Sequence, residues 1–192
     1  MLSIDLLGPL RVTDDGVVLP VTAGKQRGLL AVLAARRGEL VPVDDLVDHL
    51  WADRPPPAAR NALQAHVGRL RRTLRDPGLV HTETGGYRLP AEHVLLDLDR
   101  FTTLCRNADA AAQAGRLAEA ARQYERALGL WRGPALADVD LPRLRREVVP
   151  GWHEQRLRAR LARLATARGM CRVDQAPAPR PRHTWWPVRE SA

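Results

Sequence analysis

One stretch of the sequence combines side chains that can bind nucleic acid with a complete absence of acidic residues. Between Arg54 and Arg75 there are six arginines and no aspartate or glutamate. Arginine can bind a guanine edge or a phosphate, and asparagine and glutamine can bond base edges. A solvated helix face normally mixes acids with bases, because oppositely charged pairs at helical spacing stabilise it. The stretch therefore fits contact with a nucleic acid, with a solvated basic face as the alternative.

The stretch is predicted to form a helix over residues 58–75. Proline suits the first turn of a helix, and Pro55–Pro57 lie directly before it. The run Asp76-Pro77-Gly78 is a typical stop signal. Apolar residues recur at intervals of four, three and four, and they form one stripe that must face a core: Leu63, Val67, Leu70 and Leu74. The opposite face is then exposed and free of acids.

Two sets of contact residues follow from this geometry. Base contacts are predicted on the face opposite the apolar stripe, at Asn61, Gln64, Ala65 and Arg72. Phosphate contacts are predicted beside that face and on neighbouring elements, at Gly68, Arg69, Arg71, Arg75, Lys25, Arg27 and Arg88. For Lys25 and Arg27, a plain solvated role at the start of a helix is an equally supported alternative.

The elements around this helix occur in a familiar order. Three short apolar runs, separated by glycine, proline and aspartate, predict a small antiparallel sheet at residues 4–7, 10–13 and 17–21. Helices are predicted at residues 25–37 and 44–51, and residues 81–89 form two short strands around a Gly-Gly turn. This is the order of a winged helix-turn-helix with an added N-terminal sheet. In that fold the third helix enters the DNA major groove, and the hairpin follows the backbone or minor groove.

From Asp97 onwards the sequence is rich in alanine, arginine and leucine and has no strand-like run. A helix capped by Asp97 or Asp99, followed by a second helix after a glycine turn, predicts an antiparallel hairpin of the tetratricopeptide kind. A third helix is predicted around residues 143–168, interrupted at Pro150-Gly151. Its leucine stripe, Leu157, Leu161 and Leu164, is predicted to pack back on the hairpin at Tyr124, Leu128 and Trp131, with pairing with a second chain or a loosely ordered helix as the alternatives.

The predicted fold class is an α+β winged helix-turn-helix with an added antiparallel sheet, followed by an all-α tetratricopeptide-like domain. The winged helix-turn-helix is assigned to residues 1–95 and a partial helical domain to residues 96–169. Residues 170–192 are predicted to be a disordered tail, because they are rich in proline and lack periodicity. No physical account of Trp185 and Trp186 in that tail follows from the sequence.

Composition narrows the functions further. The chain has 192 residues and a net charge of +8, but the excess lies in residues 141–192, with 12 basic and 4 acidic side chains. The acid-free run therefore indicates nucleic-acid binding better than the overall charge does. The two cysteines and six histidines show no metal-ligand spacing, so no metal or cofactor is predicted. The absence of a signal or membrane-spanning segment predicts a cytoplasmic, nucleoid-associated protein.

Other functions compete with DNA binding. A protein-interaction adaptor would bind a partner through the helical hairpin, with Trp51 and Trp131 as candidate anchors, although core positions are favoured for both. RNA binding normally requires exposed stacking aromatics, and aromatic residues make up 4% of the chain. Catalysis is not predicted, because no serine or cysteine has a base partner, and the run AGKQ lacks the other positions of a phosphate-binding loop.

Seven stretches of the sequence resemble the Streptomyces antibiotic regulatory proteins. They are LLGPLRV, GKQRGLLAVLA, VDDLVDHLW, RPPPAARNALQAHVGRLRRTL, GGYRL, DLDRF and ALGLWRGPALADV, and they follow the family's order from about residue 5 to about residue 139. Members of that family join a response-regulator-type winged helix to a bacterial transcriptional activator domain. After about Gly169 the match fails, so the chain resembles a shortened member.

The resemblance implies a transcriptional activator of secondary-metabolite genes, including antibiotic gene clusters. Such a protein binds double-stranded DNA at direct repeats near promoters, is compatible with a homodimer on DNA, and recruits RNA polymerase. In the winged helices that this chain resembles, the connector between the second and third helices touches polymerase. That role would fall to Asp53 and Arg54, with a simple spacer as the alternative. Gly68 stands where the family usually has serine, which removes a hydroxyl that could bond a phosphate.

Overall fold

The computed structural model describes residues 1–52 and 54–174, with the backbone alone for residues 170–174. The strands in chain order are β1 Leu2–Asp5, β2 Arg11–Asp14, β3 Val17–Val18, β4 Leu40–Pro42, β5 His81–Glu83, β6 Gly86–Arg88 and β7 Val94–Leu96. The helices are α1 Gly24–Ala35, α2 Val43–Trp51, α3 Ala59–Thr73, α4 Asp97–Gln113, α5 Leu117–Leu128 and α6 Pro142–Asp174. No helix in these ranges is long and apolar enough to cross a membrane.

The N-terminal sheet has the strand order β3-β2-β1-β7. Strands β1, β2 and β3 form the predicted antiparallel meander, in which Ile4 pairs with Val12. Strand β7 adds to the far side of β1 in parallel, with Leu2 opposite Val94. This parallel strand was not predicted, because β7 is short and its partner lies at the other end of the domain.

The three helices α1, α2 and α3 pack around a leucine-rich core, and the second sheet, β4-β6-β5, lies beside them. The apolar stripe predicted for the third helix is confirmed: Leu63 and Leu70 are fully buried, and so are Leu29 and Leu33 of α1. The β5–β6 hairpin is the wing. The predicted winged helix-turn-helix with an added sheet is therefore confirmed, together with the helical domain after it.

The start of α4 differs from the prediction. Neither Asp97 nor Asp99 caps the helix, because the N-cap residue is Leu96 and no side chain bonds the free helix N–H groups. Instead the Asp97 carboxylate accepts hydrogen bonds from the backbone N–H groups of Leu6 and Leu7, at 2.8 and 2.9 Å. Asp97 therefore ties the helical domain to the end of strand β1, and its role is tertiary rather than local.

Helix α6 corrects three further predictions. It continues through Pro150, which is exposed within the helix, and it extends past residue 169 to Asp174. The predicted packing of the leucine stripe on the hairpin is wrong. Leu157, Leu161 and Leu164 are 55, 57 and 58% exposed. The remainder of the predicted disordered tail, including Trp185 and Trp186, lies outside the described residues.

The face of α6 that packs on α5 is built from other residues. Trp152, Ala159 and Thr166 are buried at intervals of seven. On the facing helix, Ala120 and Ala127 are fully buried. Ala159 on α6 and the two alanines on α5 are small, and this allows the two helix backbones to approach closely.

The two domains are also joined by a cluster of charged residues. Arg143 of α6 bonds Asp45 and Asp48 of α2, at 3.2 and 3.3 Å. Nε2 of His49, whose side chain is fully buried, lies 3.0 Å from a carboxylate oxygen of Glu147. These charged residues contact α2, whereas Asp97 bonds the chain at the end of β1. The helical domain is therefore held at two separate points of the winged helix, and this fixes its orientation.

Candidate DNA interface

Helix α3 presents the predicted face to solvent. Asn61, Gln64, Ala65 and Arg72 are all exposed, while the apolar stripe on the opposite side is buried. The helix is 15 residues long, which corresponds to about 22 Å. A major groove about 12 Å wide admits a helix of this kind. The structure therefore brings the four predicted base-contacting residues together on one accessible surface.

Beside that face, His66 packs between the helix and α2. Its ring lies 5.9 Å from the Trp51 ring, and the Lys25 ammonium lies 5.7 Å from the centre of the same indole. Burial lowers the pKa of His66, and the nearby charges of Arg69 and Lys25 lower it further. The imidazole is consequently neutral at pH 7 and contributes shape rather than charge to this edge of α3.

Two of the predicted phosphate-contacting arginines remain on the open surface. Arg69 and Arg75 are exposed on either side of the helix end, and Arg72 lies between them on the same surface. Arg75 follows the last turn with a φ of +57°, so the chain turns away immediately after it. Arg60, at the start of α3, is a further exposed cation that the prediction left out. Its ion pair with Asp44 is fully solvated and weak.

Arg71 was predicted to contact a phosphate, but its side chain already has hydrogen-bond partners within the protein. Its guanidinium donates to the Val80 carbonyl oxygen from Nε at 3.0 Å and from Nη2 at 2.5 Å. Nη2 also donates to Thr82 Oγ1 at 2.8 Å. Val80 directly precedes β5, the first strand of the wing, and Thr82 lies on that strand. Arg71 therefore fixes the wing against α3, and this use of its donors competes with a phosphate contact.

We expect Arg71→Ala to lower the free energy of unfolding by about 1–3 kcal/mol, because the buried Val80 carbonyl loses its charged donor. Arg71→Lys should restore little stability, since an ammonium cannot reproduce the planar fork. Thermal unfolding measures both effects, with Arg69→Ala as the exposed matched control. If Arg71→Ala leaves the stability unchanged and lowers only the salt dependence of DNA binding, Arg71 acts as a phosphate contact instead.

Arg27 and Lys25 at the start of α1 also have partners within the protein. Arg27 donates to the carbonyl oxygens of Val21 and Leu10, both at 2.8 Å, and it forms an ion pair with Asp138. These bonds connect α1 to the first sheet and to the segment before α6. Lys25 donates to the Leu50 carbonyl oxygen but remains exposed. Arg27 is thus a structural residue here, whereas Lys25 keeps access to solvent near the α2–α3 connector.

Arg88 is the last residue of β6, the second strand of the wing. Arg88 Nη2 donates to Glu83 Oε2 at 2.8 Å across the hairpin, and the side chain is partly exposed. Gly85 has a φ of +86°, which suits the glycine of a tight turn. A Cβ added at Gly86 would lie 2.3 Å from the Val41 carbonyl oxygen, so only glycine fits between β4 and β6. The predicted Gly-Gly hairpin is confirmed, and its Arg88 is tethered to Glu83.

Gly68 lies on α3 with open space around it. No atom comes within 4 Å of a Cβ added at this position. We expect Gly68→Ala to stabilise the protein by about 0.5–1 kcal/mol, because glycine in a helix interior is less favourable than alanine by that amount. Gly68→Ser should stabilise slightly less, but it alone should raise DNA affinity about three- to tenfold if its hydroxyl bonds a phosphate.

Thermal unfolding and binding titrations at fixed salt distinguish the two Gly68 variants. Equal DNA affinities for the serine and alanine variants would show that this position does not face the DNA backbone.

Other kinds of site are not apparent in the described part of the chain. It contains no group of three histidine, cysteine or acidic side chains placed to hold a metal ion. Cys105 is half-buried, and burial raises its thiol pKa to about 11, which makes it a poor nucleophile at neutral pH. Trp131, one of the candidate adaptor anchors, is buried with its ring 5.8 Å from that of Phe101. It therefore belongs to the core.

This combination of a winged helix-turn-helix, an acid-free third helix and an attached helical domain defines a class of transcription regulators. Comparison with family models agrees. Residues 21–89 match the C-terminal domain of transcriptional regulatory proteins, and residues 96–191 match the bacterial transcriptional activator domain. The chain belongs to the Streptomyces antibiotic regulatory protein family of transcriptional activators.

Named relatives support the same assignment. The regulatory protein AfsR of Streptomyces coelicolor is 38% identical over 163 residues, which cover 83% of this chain and 16% of AfsR. The transcriptional regulator RedD of the same organism is 37% identical over 164 residues, covering 82% of this chain and 47% of RedD. The chain therefore spans less than half the length of either relative.

A solved structure confirms the fold. Mycobacterium tuberculosis EmbR, in complex with a low-affinity phosphopeptide, superposes with a TM-score of 0.80 at 33% sequence identity. The alignment covers 91% of this chain and 48% of that one. The similarity thus includes both the winged helix-turn-helix and the helical domain.

Proposed function

We propose that this protein binds double-stranded DNA in a sequence-specific manner and activates transcription of a secondary-metabolite gene cluster. The observation that carries the proposal is the exposed face of α3, where Asn61, Gln64 and Arg72 project from a helix without acids. These three residue types form bidentate or donor contacts with adenine and guanine edges in the major groove. Ala65 lies among them and allows the helix to approach the base pairs closely.

Phosphate contacts would hold the helix in register. Arg69 and Arg75 are exposed at the sides of the base-contacting face, and Lys25 is exposed near the start of α1. Such contacts set affinity and orientation without specifying sequence. The wing, fixed to α3 by Arg71, would lie along the backbone with Arg88 partly exposed. The residues proposed for phosphate contact are therefore Arg60, Arg69, Arg75, Lys25 and Arg88, with Gly68 admitting a close approach.

The operator is proposed to be a direct repeat near a promoter, occupied by two copies of the chain. Activation would then occur through RNA polymerase at the connector between α2 and α3. Asp53 lies outside the described residues. Arg54 is exposed, and among the residues that the structure describes only its backbone N–H is engaged, donating to the Trp51 carbonyl oxygen at 3.0 Å. Its side chain is consequently available to a partner on the outer surface of the DNA complex.

We expect Arg54→Ala to leave operator binding unchanged and to lower activated transcription several-fold in a system of purified chain, RNA polymerase and promoter DNA. The substitution preserves the backbone bond to Trp51, so the connector keeps its shape. Arg122→Ala, an exposed arginine of α5, is the matched control and should change neither quantity. Loss of binding and transcription together would identify the connector as a spacer that positions α3.

The same transcription assay tests the proposed function as a whole. The chain should raise transcript yield from a promoter of its own gene neighbourhood and not from one lacking the operator. An increase that is independent of the operator, or no increase when the operator is fully occupied, would contradict the proposed activation.

A further inference from the structure

A cleft lies where the N-terminal sheet meets the helical domain. Its volume is about 520 Å³, and small-molecule sites in proteins typically measure about 300–1,000 Å³. One wall is the face of the sheet turned away from the core, where Ser3 of β1 lies opposite Leu95 of β7. The facing wall belongs to the helical domain and is formed chiefly by Arg100, Thr103, Leu104 and Leu130. A molecule held in the cleft would therefore touch both domains at once.

Part of the cleft lining is apolar. The side chain of Leu95 is 52% exposed, although its neighbours Val94 and Leu96 are buried. Across the cleft, Leu104 is buried and Leu130 is half-buried. The open part of Leu95 is thus apolar surface within a concave site, where an apolar ligand gains free energy by leaving water.

The acids that line the cleft already have partners within the protein. Asp5 pairs with Arg11 of the neighbouring strand at 2.7 Å, and Asp99 pairs with Arg37. Asp97 accepts the two backbone hydrogen bonds from the end of β1. These carboxylates therefore offer little acceptor capacity to a cationic ligand.

The cations of the cleft differ from one another. Arg11 is held by its ion pair across the sheet, and Arg132 donates to a backbone carbonyl oxygen at 2.9 Å. Arg100 is exposed and has no hydrogen-bond or ion-pair partner among the residues that the structure describes. One turn further along α4, the Thr103 hydroxyl accepts a bond from Arg106 at 3.3 Å and keeps its own hydrogen to donate. The hydrogen-bonding capacity left in the cleft is consequently that of donors.

We propose that this cleft binds a small molecule that has an apolar body and a single carboxylate. The body would lie on Leu95 and Leu130, and the carboxylate would accept hydrogen bonds from the Arg100 guanidinium and the Thr103 hydroxyl. A planar carboxylate matches the parallel N–H groups of an arginine. A doubly charged phosphate is disfavoured, because the acids around the site repel a second negative charge. The inference does not depend on the proposed DNA binding.

The test uses the purified full chain and three probes that share a naphthalene body. They are 2-naphthoate, 2-naphthylmethylammonium and 2-naphthyl phosphate, so only the charged group differs. Isothermal titration calorimetry at neutral pH should show 2-naphthoate binding at least about tenfold more tightly than the ammonium probe, a difference of about 1.4 kcal/mol. It should also bind at least about threefold more tightly than the phosphate. Absence of 2-naphthoate binding, or equal or tighter binding of either other probe, would overturn the inference.

A charge reversal tests the contact to the carboxylate. Arg100→Glu should weaken 2-naphthoate at least about tenfold, while the ammonium probe should bind at least as tightly as before. Arg122→Glu, at an exposed arginine of α5 outside the cleft, is the matched control and should change neither affinity. If 2-naphthoate binds Arg100→Glu and the parent chain equally well, the proposed contact does not exist and the inference is overturned.

A second pair of variants locates the apolar body. Leu95→Ser should weaken 2-naphthoate about threefold or more, because the naphthalene loses apolar surface to cover. Leu161→Ser, at a leucine of α6 that is 57% exposed, is the matched control and should have no effect. Circular dichroism checks that each variant is folded. The opposite result, weakening by Leu161→Ser but not by Leu95→Ser, would place the probe on α6 and overturn the inference.

Discussion

Replacement of Asn61, Gln64 and Arg72 together by alanine is expected to reduce affinity for the operator about 100- to 1,000-fold. Each bidentate contact to a base edge contributes about 1–3 kcal/mol of discrimination. The three substituted positions are exposed, so the protein should keep its stability. Binding to unrelated duplex should fall much less, because the phosphate contacts proposed for Arg69 and Arg75 do not depend on sequence. The expected outcome is therefore a loss of preference rather than a loss of all binding.

A control with the same residue types is available on α4. Asn107, Gln113 and Arg106 are also exposed, and their triple alanine variant removes the same side chains at a distance from α3. Anisotropy titrations with operator and unrelated duplex at one salt concentration compare the two triple variants. Equal effects of the two would show that general charge and polarity, and not the α3 face, determine operator binding.

Replacement of Asp97 by alanine is expected to lower the free energy of unfolding by about 3 kcal/mol or more. The substitution leaves the backbone N–H groups of Leu6 and Leu7 without an acceptor, and these residues are fully buried. Arg132, whose Nη2 lies 3.6 Å from the Asp97 carboxylate, also loses its neighbour. Burial raises the pKa of Asp97, and the two N–H groups partly offset that effect. Their hydrogen bonds therefore favour the ionised form of the side chain, against the effect of burial.

Two variants make the Asp97 prediction specific. Asp97→Asn retains one acceptor and should lower the free energy of unfolding by roughly half as much. Asp99→Ala removes an exposed carboxylate that pairs with Arg37, and this should cost less than about 1 kcal/mol. Chemical denaturation of the three variants measures the differences. An Asp97→Ala variant as stable as Asp99→Ala would mean that the two domains do not depend on this contact.

The exposed face of α3 could be predicted because it depends on local information. The spacing of Leu63, Val67 and Leu70 fixes which side is buried, and the prolines and the Asp-Pro-Gly run limit the helix. The helix is shorter than predicted by one residue at its start and two at its end, where the chain leaves helical geometry at Arg75. Helix ends are set by a few weak interactions, so this difference is small in energy.

Partners that lie far apart in the sequence could not be predicted. Arg71 and Arg27 have the residue type of phosphate contacts, but carbonyl oxygens of Val80 and Leu10 accept their hydrogen bonds. Asp97 has the residue type and position of a helix cap, but its acceptor atoms are taken by the end of β1. In each case the tertiary fold places a stronger partner next to a side chain whose local pattern suggests another role.

The α6 leucines show a different limit. Hydrophobicity alone favours Leu157, Leu161 and Leu164 as the packed face, yet the structure buries Trp152, Ala159 and Thr166. The sequence does contain a pattern for the buried face, because Trp152, Ala159 and Thr166 recur at intervals of seven and two of the three are small. Such residues permit close approach of two helices, and this gain does not appear in a count of apolar side chains.

Direct binding of the purified chain to DNA tests the central claim, that α3 recognises a duplex by sequence. Anisotropy titrations at physiological salt would compare a promoter duplex from the gene neighbourhood, an unrelated DNA duplex and an RNA duplex of the promoter sequence. We predict that the promoter binds at least about 1,000-fold more tightly than the unrelated duplex, and that the RNA binds no better than that competitor, because its narrow major groove excludes a helix. Equal affinity for all three duplexes would contradict sequence recognition by α3.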